Sequence, residues 1–188
     1  MLTLGTLLAA LVAALLAAPG GAAPRAVASQ DVHCAGADVL PQDALPLAAE
    51  TATLCLLNAE RRARGMARLG MNQQLRRAAL GHARDMVDRG YFSHESRDGR
   101  DFVDRIVRAR YVRMSDPGWL LGENLAWGAG RLASPREIVR AWMASPGHRA
   151  NVLRRRFRDV GIAVVAGTPV EGTGVGATYA TDFGRRRR

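Results

Sequence analysis

Lysine is absent from the sequence: all 27 basic residues are arginine, and the 17 acidic residues leave a formal net charge of +10. The arginines are spread along the chain, except for the closing run at 185–188. A dispersed charge does not form the basic stripe of a nucleic-acid-binding protein, and we expect no nucleic-acid partner. A basic protein outside the cell would instead meet anionic wall polymers or lipid head groups.

Cysteine is scarce as well, since the chain has only Cys34 and Cys55. No Cys-x-x-Cys or Cys/His spacing indicates a structural zinc site. Residues 1–28 are predicted to be a signal peptide, with a short apolar run and a small-x-small cleavage site at 26–28. An uncleaved anchor is the alternative, because no Lys or Arg precedes the apolar run. In an exported protein the two cysteines are expected to form a disulfide that joins the N-terminal segment to the first helix.

Alternating strand–helix–strand units and internal repeats are also missing, which argues against a parallel α/β fold and a solenoid. We divide the remaining chain into an irregular arm at 29–45, one domain at 46–184 and a basic tail at 185–188. Amphipathic patterns predict helices at Leu47–Arg64, at 73–89 after the N-cap Asn72, at Asp98–Arg110, and from the capping box Ser134–Glu137. Strand patterns follow at 161–166 and 176–183, with a third candidate around Leu125. This order predicts an α+β domain with a small, largely antiparallel sheet.

Histidines are the next candidates for residues of a functional site. His82 shares a helix face with Leu75, Ala79 and Met86, so we predict a packed core histidine rather than a ligand. His94, by contrast, follows a helix-terminating glycine in "YFSH" and lies in a predicted loop.

Two further polar residues complete a candidate site. Glu123 lies in the apolar run "LGENLAWG", and burying an unpaired carboxylate is costly, so it requires a cationic or donor partner such as an imidazole. His148 follows Ser-Pro-Gly at a predicted helix start, where the first turn would deliver its ring towards a ligand. Ser145 is interpreted as the N-cap of that helix, because serine before proline is typical there. The sequence has neither a Gly-x-Ser-x-Gly motif nor a Cys/His pattern of a covalent hydrolase.

Five segments in a fixed order carry a resemblance to a known family: "LLNAERRARG", "LRRAALGHARDMVDRGYFSH", "GENLAWG", "IVRAWMASPGHRANVLRRRFRDVGIAV" and "YATDFG". They cover roughly Leu54 to Gly184. The chain resembles the CAP superfamily (cysteine-rich secretory, antigen 5 and pathogenesis-related 1 proteins, also called SCP) in its bacterial form. The resemblance implies a three-layer α-β-α sandwich with a cleft lined by His94, Glu123 and His148. It also implies a divalent ion, most often zinc, between the two histidines.

One departure from the family pattern weakens this metal site. Many eukaryotic members have a second glutamate soon after the tryptophan of the fourth helix, whereas this chain has Met143, Ala144 and Ser145 after Trp142. We therefore expect a loosely held ion, with water completing its shell.

The functional expectation is a secreted, extracellular and monomeric module that binds a small ligand, a peptide or a cell-envelope component without catalysis. It would meet a membrane only through an uncleaved signal segment. The alternatives are a metal-dependent, peptidase-like hydrolase that uses the same cleft, and a protein that binds anionic polymers through surface arginines.

Overall fold

The structure is a computed structural model that describes residues 33–41 and 46–186. Within these ranges the chain forms five α-helices, four strands and one short 3-10 helix. They are α1 (Pro46–Arg62), β1 (Gly70–Met71), α2 (Gln73–Asp88), α3 (Phe102–Arg108), β2 (Trp119–Ala129), the 3-10 helix (Gly130–Ala133), α4 (Pro135–Ala144), α5 (Pro146–Val152), β3 (Asp159–Ala166) and β4 (Gly176–Arg186). The predicted signal peptide lies outside the described residues. None of the helices in the described ranges is long and apolar enough to span a membrane.

The four strands form one sheet in the order β1-β3-β4-β2. β4 lies in the middle and pairs antiparallel with both β2 and β3, while β1 pairs parallel with β3. The sheet is therefore largely antiparallel, as predicted. β1 escaped sequence analysis because two residues are too few to show an alternating pattern. β2 is an edge strand, and this position matters for the site described below.

Both faces of the sheet are covered by helices. Val160 and Ile162 of β3 pack in a core cluster with buried side chains of α1, α4 and α5. Ala163 points to the other face and packs with apolar residues of α2. Gly161 allows α2 to approach closely, because a Cβ at this position would lie 2.6 Å from the Leu75 Cβ. The α+β class and the three-layer α-β-α sandwich predicted from the sequence are both confirmed.

A buried arginine connects the end of α1 to the far side of its layer. Arg61 is fully buried, and its guanidinium donates hydrogen bonds to the main-chain carbonyls of Ala67, Val152 and Phe157. Burial lowers the pKa of this group. Because every acceptor is a neutral carbonyl, Arg61 fixes the turn after α1 and the chain after α5 without a carboxylate.

The predicted disulfide is present and joins Cys34 to Cys55 of α1. A second contact holds the same N-terminal segment, since Arg136 of α4 donates to the Asp38 carboxylate at 2.7 Å. The described part of the arm, residues 33–41, is thus attached to two helices of one layer.

Two predicted helices differ from the observed ones. The third is shorter than Asp98–Arg110, because Asp101 caps its start in a capping box with Asp104 and the chain turns at Arg110 with a φ of 62°. At the fourth helix the predicted capping box is half formed. Ser134 Oγ accepts from the Glu137 N–H, but the Glu137 carboxylate pairs with Arg140 instead of the N-cap backbone.

The last strand is longer than predicted. β4 continues to Arg186, three residues beyond the predicted strand end at 183. The Arg186 guanidinium lies 4.6 Å from the centroid of the Tyr111 ring, which gives the residue a packing role. Only 187–188 of the predicted basic tail lie outside the described residues.

Candidate functional site

Glu123 lies in the middle of β2 on the face covered by α2 and α3, with a side chain that is 1% exposed. Its two oxygens have different partners: Oε1 is 2.7 Å from His94 Nδ1, and Oε2 accepts from Arg105 Nη2 at 2.7 Å. The partner that a buried carboxylate requires is therefore present, and one of the expected imidazoles provides it.

Arg105 is the residue that sequence analysis missed. It lies on α3 with a side chain 9% exposed. Besides Glu123, its guanidinium donates to the His94 carbonyl, the Ser96 hydroxyl and the Arg100 carbonyl, each at 3.0 Å. Arg105 thus holds the loop that carries His94 against β2. Its position beside Ile106 on the inward side of α3 is the only sequence signal that points to it.

His82 of α2 also contacts the loop that carries His94. It is 1% exposed, its Nε2 lies 2.8 Å from the Ser93 carbonyl, and its Nδ1 lies 3.4 Å from Ser96 Oγ. Burial, and then the charge of Arg105, lower the pKa of His82 and favour the neutral ring. The prediction of a packed core histidine is confirmed.

Asp182 adds an unexpected second carboxyl group. It is the direct cross-strand neighbour of Glu123 and is completely buried, and neither of its oxygens has a hydrogen-bond donor in the described part of the chain. Burial, followed by the negative charge of Glu123, raises the pKa of Asp182 well above its usual value. This shift favours the protonated form of Asp182, whose O–H can donate to the Glu123 carboxylate.

His94 projects from the loop with a side chain that is 58% exposed. Glu123 fixes its Nδ1, whereas its Nε2 has no hydrogen-bond partner among the described residues. A carboxylate that accepts from Nδ1–H leaves the lone pair on Nε2, which is the form of imidazole that binds a metal.

His148 lies in the first turn of α5, as predicted. Burial, and then the charge of His94, lower the pKa of its ring. Its Nδ1 is 3.0 Å from Ser145 Oγ. Ser145 does occupy the N-cap position, but its hydroxyl makes no capping hydrogen bond. Ser145 is therefore the N-cap by position, as predicted, but its hydroxyl contacts the imidazole and not the helix backbone.

Two asparagines tie α5 to β2. Asn124 Nδ2 donates to the His148 carbonyl at 3.0 Å, and Asn151 Nδ2 donates to the Glu123 carbonyl and to Asn124 Oδ1. Neighbouring residues of a strand point to opposite faces, so Glu123 contacts the loop of one layer while Asn124 contacts α5 of the other.

The two imidazoles approach each other around the free edge of β2. His94 reaches the strand from the α2/α3 layer and His148 from the opposite layer, and His94 is near enough to affect the pKa of His148. No hydrogen bond in the described part joins His148 to Glu123. The structure thus brings His94 and Glu123 into contact and places His148 near His94.

This donor set fits a weakly held ion rather than a closed metal centre. Within the described residues no group of three or more His, Cys, Asp and Glu side chains could hold a metal. Both oxygens of Glu123 are engaged with His94 and Arg105, so the carboxylate acts on His94 and not as a ligand. Two imidazoles with anchored Nδ1 atoms would supply two Nε2 ligands and leave the remaining positions to water or a ligand.

The fold is an α-β-α sandwich that carries two imidazoles near one edge of its sheet. Comparisons with known proteins show the family to which the chain belongs. The family model described as "CAP: Cysteine-rich secretory protein family" matches residues 54–178. The chain therefore belongs to the CAP family. A curated relative, the uncharacterized protein YkwD of Bacillus subtilis, is 34% identical over 110 residues, which are 58% of this chain and 40% of that protein. A second B. subtilis relative, the uncharacterized membrane protein YlbC, is 30% identical over 115 residues, which are 61% of this chain and 31% of that protein.

Solved structures show the same fold. An extracellular SCP-domain protein from Bacillus anthracis superposes with a TM-score of 0.60 at 27% identity, over 77% of this chain and 42% of the other. An outer surface protein of Borrelia burgdorferi gives a TM-score of 0.56 at 20% identity, over 70% of this chain and 87% of the other. The chain spans less than half the length of the two curated relatives.

Proposed function

We propose that this chain is an exported CAP-domain module that binds a ligand at the edge of β2, without catalysis, through a loosely held divalent ion on His94 and His148. The observation that carries the proposal is the fixing of both rings at Nδ1, by Glu123 and by Ser145, with Nε2 left uncommitted. A bound zinc ion would supply an open Lewis-acid position for a carboxylate or carbonyl of a small ligand, peptide or envelope component.

An extracellular location is part of this proposal. The Cys34–Cys55 disulfide favours an oxidising compartment, and the similar B. anthracis protein is described as extracellular. The predicted signal peptide would provide the route, and N-terminal sequencing of the exported protein should find Ser29 as its first residue.

The hydrolase alternative is the less favoured one because of how Glu123 is paired. A general base needs a carboxylate oxygen that can take a proton from water, and both oxygens of Glu123 already accept hydrogen bonds from cationic or imidazole donors. Asp182 is completely buried, so it has no access to the water that a replacement base would have to activate.

Calorimetric zinc titration of the chain from Ser29 onwards is the direct test. His94→Ala and His148→Ala should each weaken zinc binding at least about tenfold, because each removes one of two protein ligands. His33→Ala is the matched control, since it removes an exposed imidazole outside the site and should leave the affinity unchanged.

Unchanged zinc affinity in both His94→Ala and His148→Ala would rule out this site. Turnover that is lost with a chelator and restored by zinc would favour the hydrolase over the binding module. A screen of envelope fractions with the zinc-loaded chain would then identify the chemistry of the ligand.

A further inference from the structure

A cavity opens between α2 and α3, beside the histidine site formed by His94, Glu123 and His148. Its volume is about 400 Å³, and its charged lining consists of four arginines and one aspartate. Arg77 comes from α2, Arg105 and Arg108 from α3, and Arg100 from the preceding loop. We name it the arginine cavity.

The buried wall of the arginine cavity has donors without acceptors. Arg105 is a lining residue with a side chain only 9% exposed, and its buried Nε has no hydrogen-bond partner in the described part of the chain. The buried Nε of Arg100, a second lining residue, is also without a partner. A buried guanidinium N–H left without an acceptor costs free energy, and an anionic ligand in the cavity would offset this cost.

The charge at the rim is also uncompensated. Arg77 and Arg108 make no ion pair with a described carboxylate. Among the described residues, the side chain of Arg77 has one hydrogen bond, to the Ala109 carbonyl. Asp85, the one acidic residue of the lining, is occupied by the Tyr91 hydroxyl and by Arg89. Arg100 pairs with Asp98 and Arg105 with Glu123, so Arg77 and Arg108 are the exposed lining arginines without a carboxylate partner among the described residues.

One residue of the cavity lining is an exposed glycine, Gly81. Gly81 lies in the interior of α2, where glycine weakens a helix, and a Cβ added to it would meet no atom within 4 Å. The absent side chain leaves room for a ligand between Arg77 on the same helix and Arg108 on the facing one.

We propose that the arginine cavity binds a phosphate group, free or as part of a phosphate ester. Phosphate is an acceptor-only anion with several oxygens, and guanidinium forks match it in both geometry and charge. The group could reach the cavity as a soluble ester or as the head group of an anionic phospholipid. His94 and His148 do not line the cavity, so this site goes beyond the proposed zinc-dependent function.

The test measures binding of glycerol 3-phosphate by calorimetry at low salt. Arg108→Gln removes an exposed, unpaired guanidinium and should weaken binding about tenfold, the usual worth of one charge-assisted contact. Gly81→Leu keeps every charge, improves helix propensity and fills the cavity, so binding should fall by at least as much. Arg68→Gln, which removes an exposed arginine outside the cavity, should change the affinity less than twofold.

Two results would overturn the proposal: an equal loss in Arg68→Gln and Arg108→Gln, or unchanged binding in Gly81→Leu. Either would mean that phosphate senses only the overall positive charge. Vesicles of phosphatidylglycerol, compared with phosphatidylcholine, distinguish the sources. Binding to phosphatidylglycerol that Gly81→Leu abolishes would show that the cavity accepts a lipid head group, while binding of the soluble ester alone would assign a soluble or polymeric phosphate.

Discussion

At the scale of single residues, the most unusual group is the buried carboxyl of Asp182. Burial raises its pKa and favours the protonated form in the folded state, whereas in the unfolded chain it ionises near its ordinary pKa of about 3.9. Its contribution to stability is therefore complete below pH 4 and is lost as the pH rises towards the folded-state pKa. A neutral residue of the same shape would avoid this loss.

Asp182→Asn is accordingly expected to raise the free energy of unfolding at pH 7, on the order of 1 kcal/mol. The asparagine N–H₂ can donate to Glu123 as the protonated carboxyl does, so the geometry should survive. Thermal unfolding from pH 4 to pH 8 is the measurement, and the advantage of Asp182→Asn should grow with pH. Asp88→Asn, at an exposed position on α2, controls for the change in net charge. A stability difference between variant and parent that stays constant across this range would contradict the raised pKa of Asp182.

Ser145 and Ser134 both precede a proline at a helix start, yet only Ser134 caps its helix with its hydroxyl. Ser134→Ala should therefore cost about 1 kcal/mol of stability and leave zinc binding unchanged. Ser145→Ala should do the opposite: stability is retained, and zinc affinity falls about tenfold because His148 loses the contact that fixes its ring. Thermal unfolding and calorimetry on both variants check this. A large loss of stability in Ser145→Ala, with normal zinc binding, would restore the capping role.

At the scale of secondary-structure elements, sequence patterns predicted the features that depend only on neighbouring residues, such as helix caps. Asn72 caps α2 as predicted, and Glu123 stood out because a carboxylate in an apolar run must find a partner. The partners themselves could not be predicted. Asp182 faces Glu123 only through the register of β2 and β4, and Arg105 reaches it only because α3 packs over that strand. Both contacts depend on tertiary packing, which spacing along a chain does not encode.

The disulfide holds the N-terminal segment against α1. Cys34 and Cys55 are 21 residues apart, and a loop of that size predicts a loss of about 3 kcal/mol when the bridge is removed. Cys34→Ala/Cys55→Ala should lower the urea midpoint accordingly and leave zinc affinity unchanged, because neither residue touches the site. If zinc binding falls as well, the α1 layer contributes to positioning His148.

At the scale of the whole molecule, the histidine site and the arginine cavity share one residue, Arg105. Arg105 holds the His94 loop and Glu123 with its terminal nitrogens, and it also lines the arginine cavity. The histidine site depends on both layers of the sandwich, since His94 comes from the α2/α3 side and His148 from α5. An ion held between them would therefore link the two layers across the free edge of β2.

Zinc should consequently stabilise the folded protein. At a free zinc concentration of about 100 times the dissociation constant, the expected gain is about 2.7 kcal/mol, visible as a rise in Tm that EDTA reverses. Metal binding needs neutral imidazole, and burial together with His94 lowers the pKa of His148 below its ordinary value of about 6.5. If protonation of His148 is what limits zinc binding, the zinc-induced rise in Tm should persist at pH 6.5 and decline only at lower pH. His148→Ala should reduce the rise by about half or more, since a tenfold weaker site gains only about 1.4 kcal/mol at the same zinc concentration, while His33→Ala keeps it. An equal rise in all three proteins would show that zinc binds elsewhere.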